Sequence, residues 1–292
     1  MERAARAGGG LGPVTFASTP SKRHARGVAA LLHRGVTADA ALYLHPAESG
    51  LGMGEVKTLA PGQLEFRVTV TGAKPATDEP GHTAYAHLGV NPIDKALLLV
   101  EALRRLDAAR GARVVHPVMQ AAAGRSTNVM ISAIAAGEGA KRSRMPPDCT
   151  FAGTVSFPPG EPVAAVRDEI AAALAAAAAA DPWLAAHPPA LEWPAGVTGG
   201  ETPPEHPFWL SVSASVAAAT GRPPQANPLH ASSDIRVPIV QKGVPTLGLG
   251  ALCGDLTQDG RADEWVDAAD FHRMVAVVAR VARDWCGQDR AA

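Results

Sequence analysis

The sequence has few cysteines, no excess of charge of either sign and no long apolar run. Cys149, Cys253 and Cys286 are widely spaced and form no Cys-x-x-Cys pair, which argues against a disulfide framework and favours a reducing, cytoplasmic compartment. We interpret them as structural thiols. The 27 basic and 28 acidic residues leave a net charge of −1, so neither nucleic acid nor a membrane is the predicted partner.

The longest apolar segment, residues 170–180, is mostly alanine and too short to span a bilayer, so it is predicted to be a helix. Residues 1–13 are rich in Ala, Arg and Gly and contain no apolar core of signal-peptide length, so neither order nor secretion is expected there. The hydrophobic content of 47% is typical of a globular protein. The length of 292 residues is sufficient for two domains, each with its own core.

The clearest local pattern is a strand, a loop and a helix in residues 63–110. Alternate residues from Leu64 to Val70 are apolar, as in a strand with one buried face. Asn91 is a predicted N-cap and Pro92 the first helical residue. The apolar stripe expected on that helix is Ile93, Ala96, Leu97, Val100, Leu103 and Leu106.

Two further strands and a second helix follow this element. The strands are predicted at residues 127–135 and 148–157, and the helix at 162–180 has its apolar stripe at Val163, Val166, Ile170 and Leu174. Together these elements predict an α+β sandwich with both helices on one face of an antiparallel sheet. The free edge of such a sheet is a common route to a two-fold dimer.

The flanking regions predict a second, α/β domain. Short strands at 14–17 and 38–46 enclose a helical turn at 27–33, which favours a parallel sheet covered by helices. Helices are also predicted at 203–220 and 268–285. The predicted organisation is therefore residues 1–61 and 182–292 as two parts of one domain, with 62–181 as a separate domain between them.

A family resemblance lies in the loop and helix of the central region. Gly81-His82-Thr83, followed by Gly89-Val90-Asn91-Pro92-Ile93, resembles the lid of the di-zinc aminoacylase and carboxypeptidase family, which includes acetylornithine deacetylase and succinyl-diaminopimelate desuccinylase. The resemblance implies a zinc-peptidase-like α/β catalytic domain, incomplete at its N-terminus, with an inserted ferredoxin-like dimerisation domain. It also implies two zinc ions per subunit, a homodimer, and an N-acyl amino acid or short peptide as substrate.

The same resemblance assigns roles to individual residues. His82 matches the lid histidine that stabilises the oxyanion in the partner's active site. His45, before Pro46, matches a zinc ligand, with a hydrogen-bonded loop histidine as the alternative. Arg144 stands where a substrate-binding Asn belongs, with a solvated surface arginine as the alternative, and Ser233 and Asp234 lie in the segment that resembles the family's substrate-binding Gly-Gly-Thr-Asp-Ala-Arg loop.

Three further segments depart from the family pattern. Lys22-Arg23 replaces the Glu-Glu pair that supplies the base and the bridging metal ligand, Ser156 replaces an arginine, and Asp259 or Gly260 replaces the last histidine ligand. Either translation starts upstream of Met1 or the lineage has lost the metal site. The changed residues favour loss, since truncation would not alter positions that are still present.

Three functions remain open from the sequence. The first is a homologue of zinc-dependent amide hydrolases whose own activity is uncertain. The second is a non-catalytic, dimeric binding or scaffold protein that keeps the fold. The third is a mononuclear hydrolase that uses His45, His82 or His24 with Asp259.

Overall fold

The computed structural model describes residues 12–19, 26–47, 49–137, 139, 141–227, 233–254 and 262–287. They fall into two compact units. The inserted unit is Pro61–Gly199, and the split unit is formed by Met1–Ala60 and Gly200–Ala292. Within the described ranges, no helix is both long and apolar enough to cross a bilayer.

The helices and strands are numbered in chain order. The helices are α1 (Arg26–His33), α2 (Pro92–Arg113), α3 (Pro117–Ala123), α4 (Val163–Ala179), α5 (Pro182–Ala186), α6 (Pro207–Thr220), α7 (Arg236–Lys242) and α8 (Ala268–Cys286). The strands are β1 (Ala41–Leu44), β2 (Glu55–Lys57), β3 (Leu59–Ala60), β4 (Gly62–Thr71), β5 (Asn128–Ala136), β6 (Asp148–Phe157), β7 (Ala190–Val197), β8 (Gly200–Glu201), β9 (Gln225–Asn227) and β10 (Thr246–Leu249).

The inserted unit is an antiparallel sheet with helices on one face. Its strand order is β5-β6-β4-β7, and β4 pairs with β6 in unbroken register from Gly62 opposite Phe157 to Thr71 opposite Asp148. Alternate β4 residues are buried, as the period-two pattern predicts. The apolar faces of α2 and α4 complete one core with β4 and β6. The predicted α+β sandwich is confirmed.

Helix α2 begins where the sequence predicts. The side chain of Asn91 accepts a hydrogen bond from the Ile93 backbone N–H at 3.2 Å, and Pro92 is the first helical residue. The predicted apolar stripe is wrong at one position, because Leu97 is more than half exposed while Leu99 is buried. The other five predicted positions are buried or packed against the core.

The split unit has a mixed sheet with the order β1-β10-β2-β9. Strands β1 and β10 are parallel, as are β2 and β9, but β10 and β2 are antiparallel. The parallel sheet expected from the sequence is therefore present in the pairs β1-β10 and β2-β9, and the antiparallel pair β10-β2 departs from the prediction. An apolar core from α6 and α8 covers one face, and α1 and α7 pack against each other through Leu32 and Val237.

Two short elements of the split unit differ from prediction. Residues 14–17 form no strand and are mostly exposed, because a short apolar run without a neighbouring strand has no partner for its backbone hydrogen bonds. The strand expected at 38–46 is limited to Ala41–Leu44 and is only partly buried.

Candidate functional site

A row of residues crosses the split unit's sheet on the face opposite its apolar core. Tyr43 on β1 lies opposite Gly248 on β10, Gly248 lies opposite Lys57 on β2, and Lys57 lies opposite Asn227 on β9. Their neighbours along the strands, including Val56 and Leu247, point into the apolar core. Because side chains alternate along a strand, this row presents a polar face where a second apolar layer would be expected.

The side chain of Lys57 reaches across β10 to His45. Its Nζ lies 3.0 Å from Nδ1 of His45 and donates to the carbonyl oxygen of Pro46 at 3.1 Å. His45 is buried at the end of β1, and Lys57 is almost wholly inaccessible. Gly248 permits the crossing, since a Cβ there would stand only 2.9 Å from Cβ of Lys57. The predicted metal ligand thus has a lysine as its neighbour.

Glu55 lies two residues before Lys57 on the same face of β2. The side-chain amide of Asn227 donates to its Oε2 at 2.6 Å. Among the residues that the structure describes, no hydrogen-bond partner reaches the buried Oε1. A carboxylate and an ammonium group are therefore both buried on this short strand, where charges are stable only if they are paired or hydrogen bonded.

The segment before α7 adds further buried polar groups. Ser233 and Asp234 are both buried, and Ser233 Oγ accepts a hydrogen bond from the Ile235 N–H at 3.4 Å. Burial, helped by the charge of Asp234, raises the pKa of Tyr43 to about 12. Burial lowers the pKa of Arg236, and Asp234 opposes that effect. Asp234 is therefore within electrostatic reach of both Tyr43 and Arg236.

The described part of this site does not fit a two-metal centre. No group of three His, Cys, Asp or Glu side chains in the described ranges is placed to hold a metal ion. The ammonium group of Lys57 is also directly beside His45, where it would repel a metal cation. Five residues of the sequence analysis lie outside the described residues: Lys22, Arg23, His24, Asp259 and Gly260. The functional hypotheses that use them stay predictions.

The inserted unit holds His82 in a fixed orientation. This residue caps the short 3-10 helix Thr83–Leu88, and its Nδ1 accepts a hydrogen bond from the Ala84 backbone N–H at 3.1 Å. A ring nitrogen that accepts a hydrogen bond carries no proton, so in the neutral ring the proton lies on Nε2. His82 therefore presents an N–H donor, which is the group that an oxyanion requires.

Arg144 lies beside His82 on a neighbouring segment. The two residues form an antiparallel bridge, and the Thr83 N–H donates to the Ser143 carbonyl at 2.9 Å. Nη1 of Arg144 is 3.6 Å from Oε2 of Glu79, and both side chains are substantially exposed. Sequence reasoning named His82 and Arg144 separately, and the structure brings them together.

Sequence reasoning missed Lys57, Glu55, Asn227 and Tyr43. A usable signal was present, because Glu55-Val56-Lys57 alternates charged and apolar residues next to the buried Met53. Three residues are too few to support a strand assignment, and the pairing with β10 and β9 depends on contacts between distant parts of the sequence.

The inserted unit matches a known family of domains. Residues 60–182 match the family model of the peptidase dimerisation domain. The inserted element is thus similar to a dimerisation domain. No curated protein matches the chain.

Solved structures of several peptidases share the fold. Aminopeptidase PepT from Bacillus cereus is 16% identical, with a TM-score of 0.62, over 89% of this chain and 61% of its own. A tripeptidase from Staphylococcus aureus is 13% identical, with a TM-score of 0.64, over 91% of this chain and 62% of its own. An M20 family metallo-carboxypeptidase from Sulfolobus solfataricus is 11% identical, with a TM-score of 0.64, over 88% of this chain and 65% of its own.

These similarities establish the fold: an α/β domain with an inserted dimerisation domain. The chain spans less than two thirds of the length of these three peptidases. At 11–16% identity, the likeness does not extend to individual site residues.

Proposed function

We propose that this chain is a homodimeric relative of the metal-dependent peptidases that binds a short peptide or an N-acyl amino acid without hydrolysing it. The match of residues 60–182 to the peptidase dimerisation domain supports the dimer. The contact between Lys57 and His45 is the observation that carries the non-hydrolytic part of the proposal.

The edge strand β5 is the surface proposed for dimerisation. Met130 and Ile134 on β5 are more than half exposed, and so is Leu97 on α2, which contacts β5. The opposite edge, β7, contains Pro194, which lacks an N–H and makes an edge strand a poor partner for another strand. Antiparallel pairing of two β5 strands about a two-fold axis would cover both the free backbone groups and these apolar side chains.

Sedimentation velocity at micromolar concentration tests the dimer. The wild-type chain should sediment as a dimer, and Ile134→Lys should shift it towards monomer, because the new charge would be buried at the pairing edge. Val240→Lys is the matched control, since Val240 is an exposed apolar residue of the split unit. A monomeric wild-type chain, or equal effects of the two substitutions, would contradict the proposed edge.

His82 and Arg144 are the groups proposed to bind the ligand. The Nε2–H of His82 can donate to a carbonyl oxygen, and the guanidinium of Arg144 suits a carboxylate. Peptides and N-acyl amino acids carry both groups. In a dimer assembled as the resemblance implies, this pair would serve the partner's site, and Arg144 would exchange its exposed contact with Glu79 for the ligand.

Metal-dependent hydrolysis of the amide bond is the second candidate function. Its support is the shared fold, since a similar structure from Bacillus subtilis is described as a dinuclear metal binding peptidase of the M20 family. For this activity Ser233 and Asp234 would line the substrate site, and His45 would have to give up its contact with Lys57. The two candidates differ in metal content and in turnover.

Elemental analysis of the purified protein and an amidase assay separate the two functions. We expect no stoichiometric zinc and no release of free amino acid from dipeptides or N-acyl amino acids, while calorimetry detects binding of the same compounds. Binding should weaken in His82→Ala, and the dimer should persist. About two equivalents of zinc per subunit, with hydrolysis that is lost in His82→Ala, would establish the hydrolase instead.

A further inference from the structure

We infer that Lys57 is an internal cation that takes the place beside His45 where a metal cation would bind. The imidazole of His45 then accepts a hydrogen bond from an ammonium group instead of coordinating a metal. This inference deepens the proposed function and rests on it for the identity of the site.

The position of Lys57 is set by the sheet. Lys57 is on β2, His45 follows β1, and β10 lies between these two strands. Neighbouring strands are about 4.8 Å apart, so the lysine side chain has to lie along the sheet surface to bring its Nζ within 3.0 Å of Nδ1 of His45. A lysine is long enough for this crossing, and its burial shows that it is not directed to solvent.

Two glycines adapt the sheet to this arrangement. At Gly248 a Cβ would stand 2.9 Å from Cβ and 3.2 Å from Cδ of Lys57, so a larger residue would displace the lysine. At Gly250 a Cβ would stand 1.5 Å from the carbonyl oxygen of His45. The first glycine makes room for the lysine, and the second lets the backbone pass close to the histidine.

The chemistry of the contact decides whether His45 can bind a metal. An ammonium group is only a donor, so a hydrogen bond from Nζ of Lys57 to Nδ1 of His45 requires that Nδ1 carry no proton. The proton of the neutral ring is then on Nε2, and neither ring nitrogen offers a free lone pair to a metal. The positive charge of Lys57 adds direct repulsion of any divalent cation.

An alternative tautomer makes the inference testable. Nδ1 of His45 is also 2.6 Å from the Pro46 carbonyl oxygen. If Nδ1 carried the proton and donated it to Pro46, then Nε2 would be free for a metal, as in metal sites where a carbonyl orients the histidine. The two tautomers therefore correspond to the two roles of His45.

Nitrogen NMR of wild-type protein labelled at histidine distinguishes the tautomers without any structural perturbation. The His45 resonances are assigned by comparison with His45→Gln. We expect a ring protonated at Nε2, with Nδ1 shifted as a hydrogen-bond acceptor. A ring protonated at Nδ1 would overturn the inference.

Zinc affinity provides an independent test, measured by competition with a chromophoric chelator. Wild-type protein should show no zinc binding that depends on His45. Lys57→Met and Gly248→Ala, which respectively remove and displace the ammonium group, should each raise zinc affinity by about tenfold or more, and the gain should disappear when His45→Ala is added. Lys242→Met, at an exposed lysine of the same unit, should change nothing.

Several results would overturn the inference. The first is zinc binding by wild-type protein that is abolished in His45→Ala. The second is unchanged zinc affinity in both Lys57→Met and Gly248→Ala, provided that circular dichroism shows each variant to be folded. The proposed function is tested separately: sedimentation measures the dimer, and calorimetry measures ligand binding. A chain that binds no peptide but shows the expected His45 tautomer would refute the function and leave the role of Lys57 standing.

Discussion

Arg110 offers a direct test of what stabilises the inserted unit. Its side chain is fully buried, and it joins α2 to three other segments through Thr127, Glu161 and Glu169. Nε and Nη2 lie 3.2 and 3.1 Å from Thr127 Oγ1, and Nη2 lies 2.7 Å from Glu161 Oε2. Burial alone would lower the pKa of Arg110, but the hydrogen bonds and charges of Glu161 and Glu169 raise it above the ordinary value.

Arg110→Met removes the guanidinium and keeps a long apolar side chain. Removing one partner of a buried ion pair typically costs about 3–5 kcal/mol in the free energy of unfolding. The side chains of Glu161 and Glu169 are 22% and 27% exposed, and Glu169 also pairs with Arg113. Water and Arg113 would compensate part of the loss, so we expect the lower end of that range, about 3 kcal/mol.

Hydrogen exchange followed by mass spectrometry measures this cost in the inserted unit alone, and urea unfolding measures it for the whole chain. Arg105→Met is the matched control, since Arg105 is on the same helix, is 66% exposed and pairs with Glu101 at 3.6 Å. It should cost less than about 0.5 kcal/mol. Arg110→Lys should be intermediate, because lysine keeps the charge and loses the planar fork. Equal destabilisation by Arg110→Met and Arg105→Met would refute the reasoning.

Three further predictions concern pH and packing. Lys95 and backbone N–H groups hold the pKa of Asp181 below its usual value, so the stability that ionised Asp181 contributes is present at neutral pH and is lost as pH falls below about 4. Asp181→Asn should lower the urea midpoint at neutral pH and match wild type in strong acid. The same difference in midpoint at both pH values would contradict this prediction. Because the pKa of Tyr43 is raised to about 12 in the folded chain, the unfolded chain loses this proton at lower pH, and stability should fall above about pH 10. Tyr43→Phe should remove the rise in tyrosinate absorbance that occurs near the upper end of the pH titration. Persistence of that rise in the variant would refute the assignment to Tyr43. Gly153→Ala places a Cβ 2.3 Å from the Met130 carbonyl oxygen, so hydrogen exchange in β5 should accelerate; unchanged rates would contradict this.

The inserted unit was largely predictable because its signals are local. The alternation in β4 and the Asn91-Pro92 cap each depend on a few consecutive residues, and the structure has them as predicted. The exposed Leu97 was not predictable, since a helix with many leucines does not define which apolar stripe is buried. Strand β7 was missed because Pro194 interrupts a short edge strand.

The split unit was less predictable because its sheet pairs distant parts of the chain. The apolar run of strand β1 was recognisable from the sequence, but the direction of β2 follows from pairing that no local pattern records. The candidate site depends on that pairing, since Lys57 meets His45 only when β10 separates their strands. His45 was predicted as a metal ligand from its position before Pro46. That local pattern gives no information about Lys57.

The polar face of the split unit bears on the choice between binding and a purely structural role. Lys57 and Arg236 are buried cations there, and Glu55 and Asp234 are buried anions. Buried ion pairs often contribute less stability than apolar residues of the same size, so a unit that served only as a scaffold would gain from replacing them. These four side chains are almost wholly inaccessible to solvent, so they do not contact a ligand directly. A purely structural role therefore does not explain why this face keeps its charges.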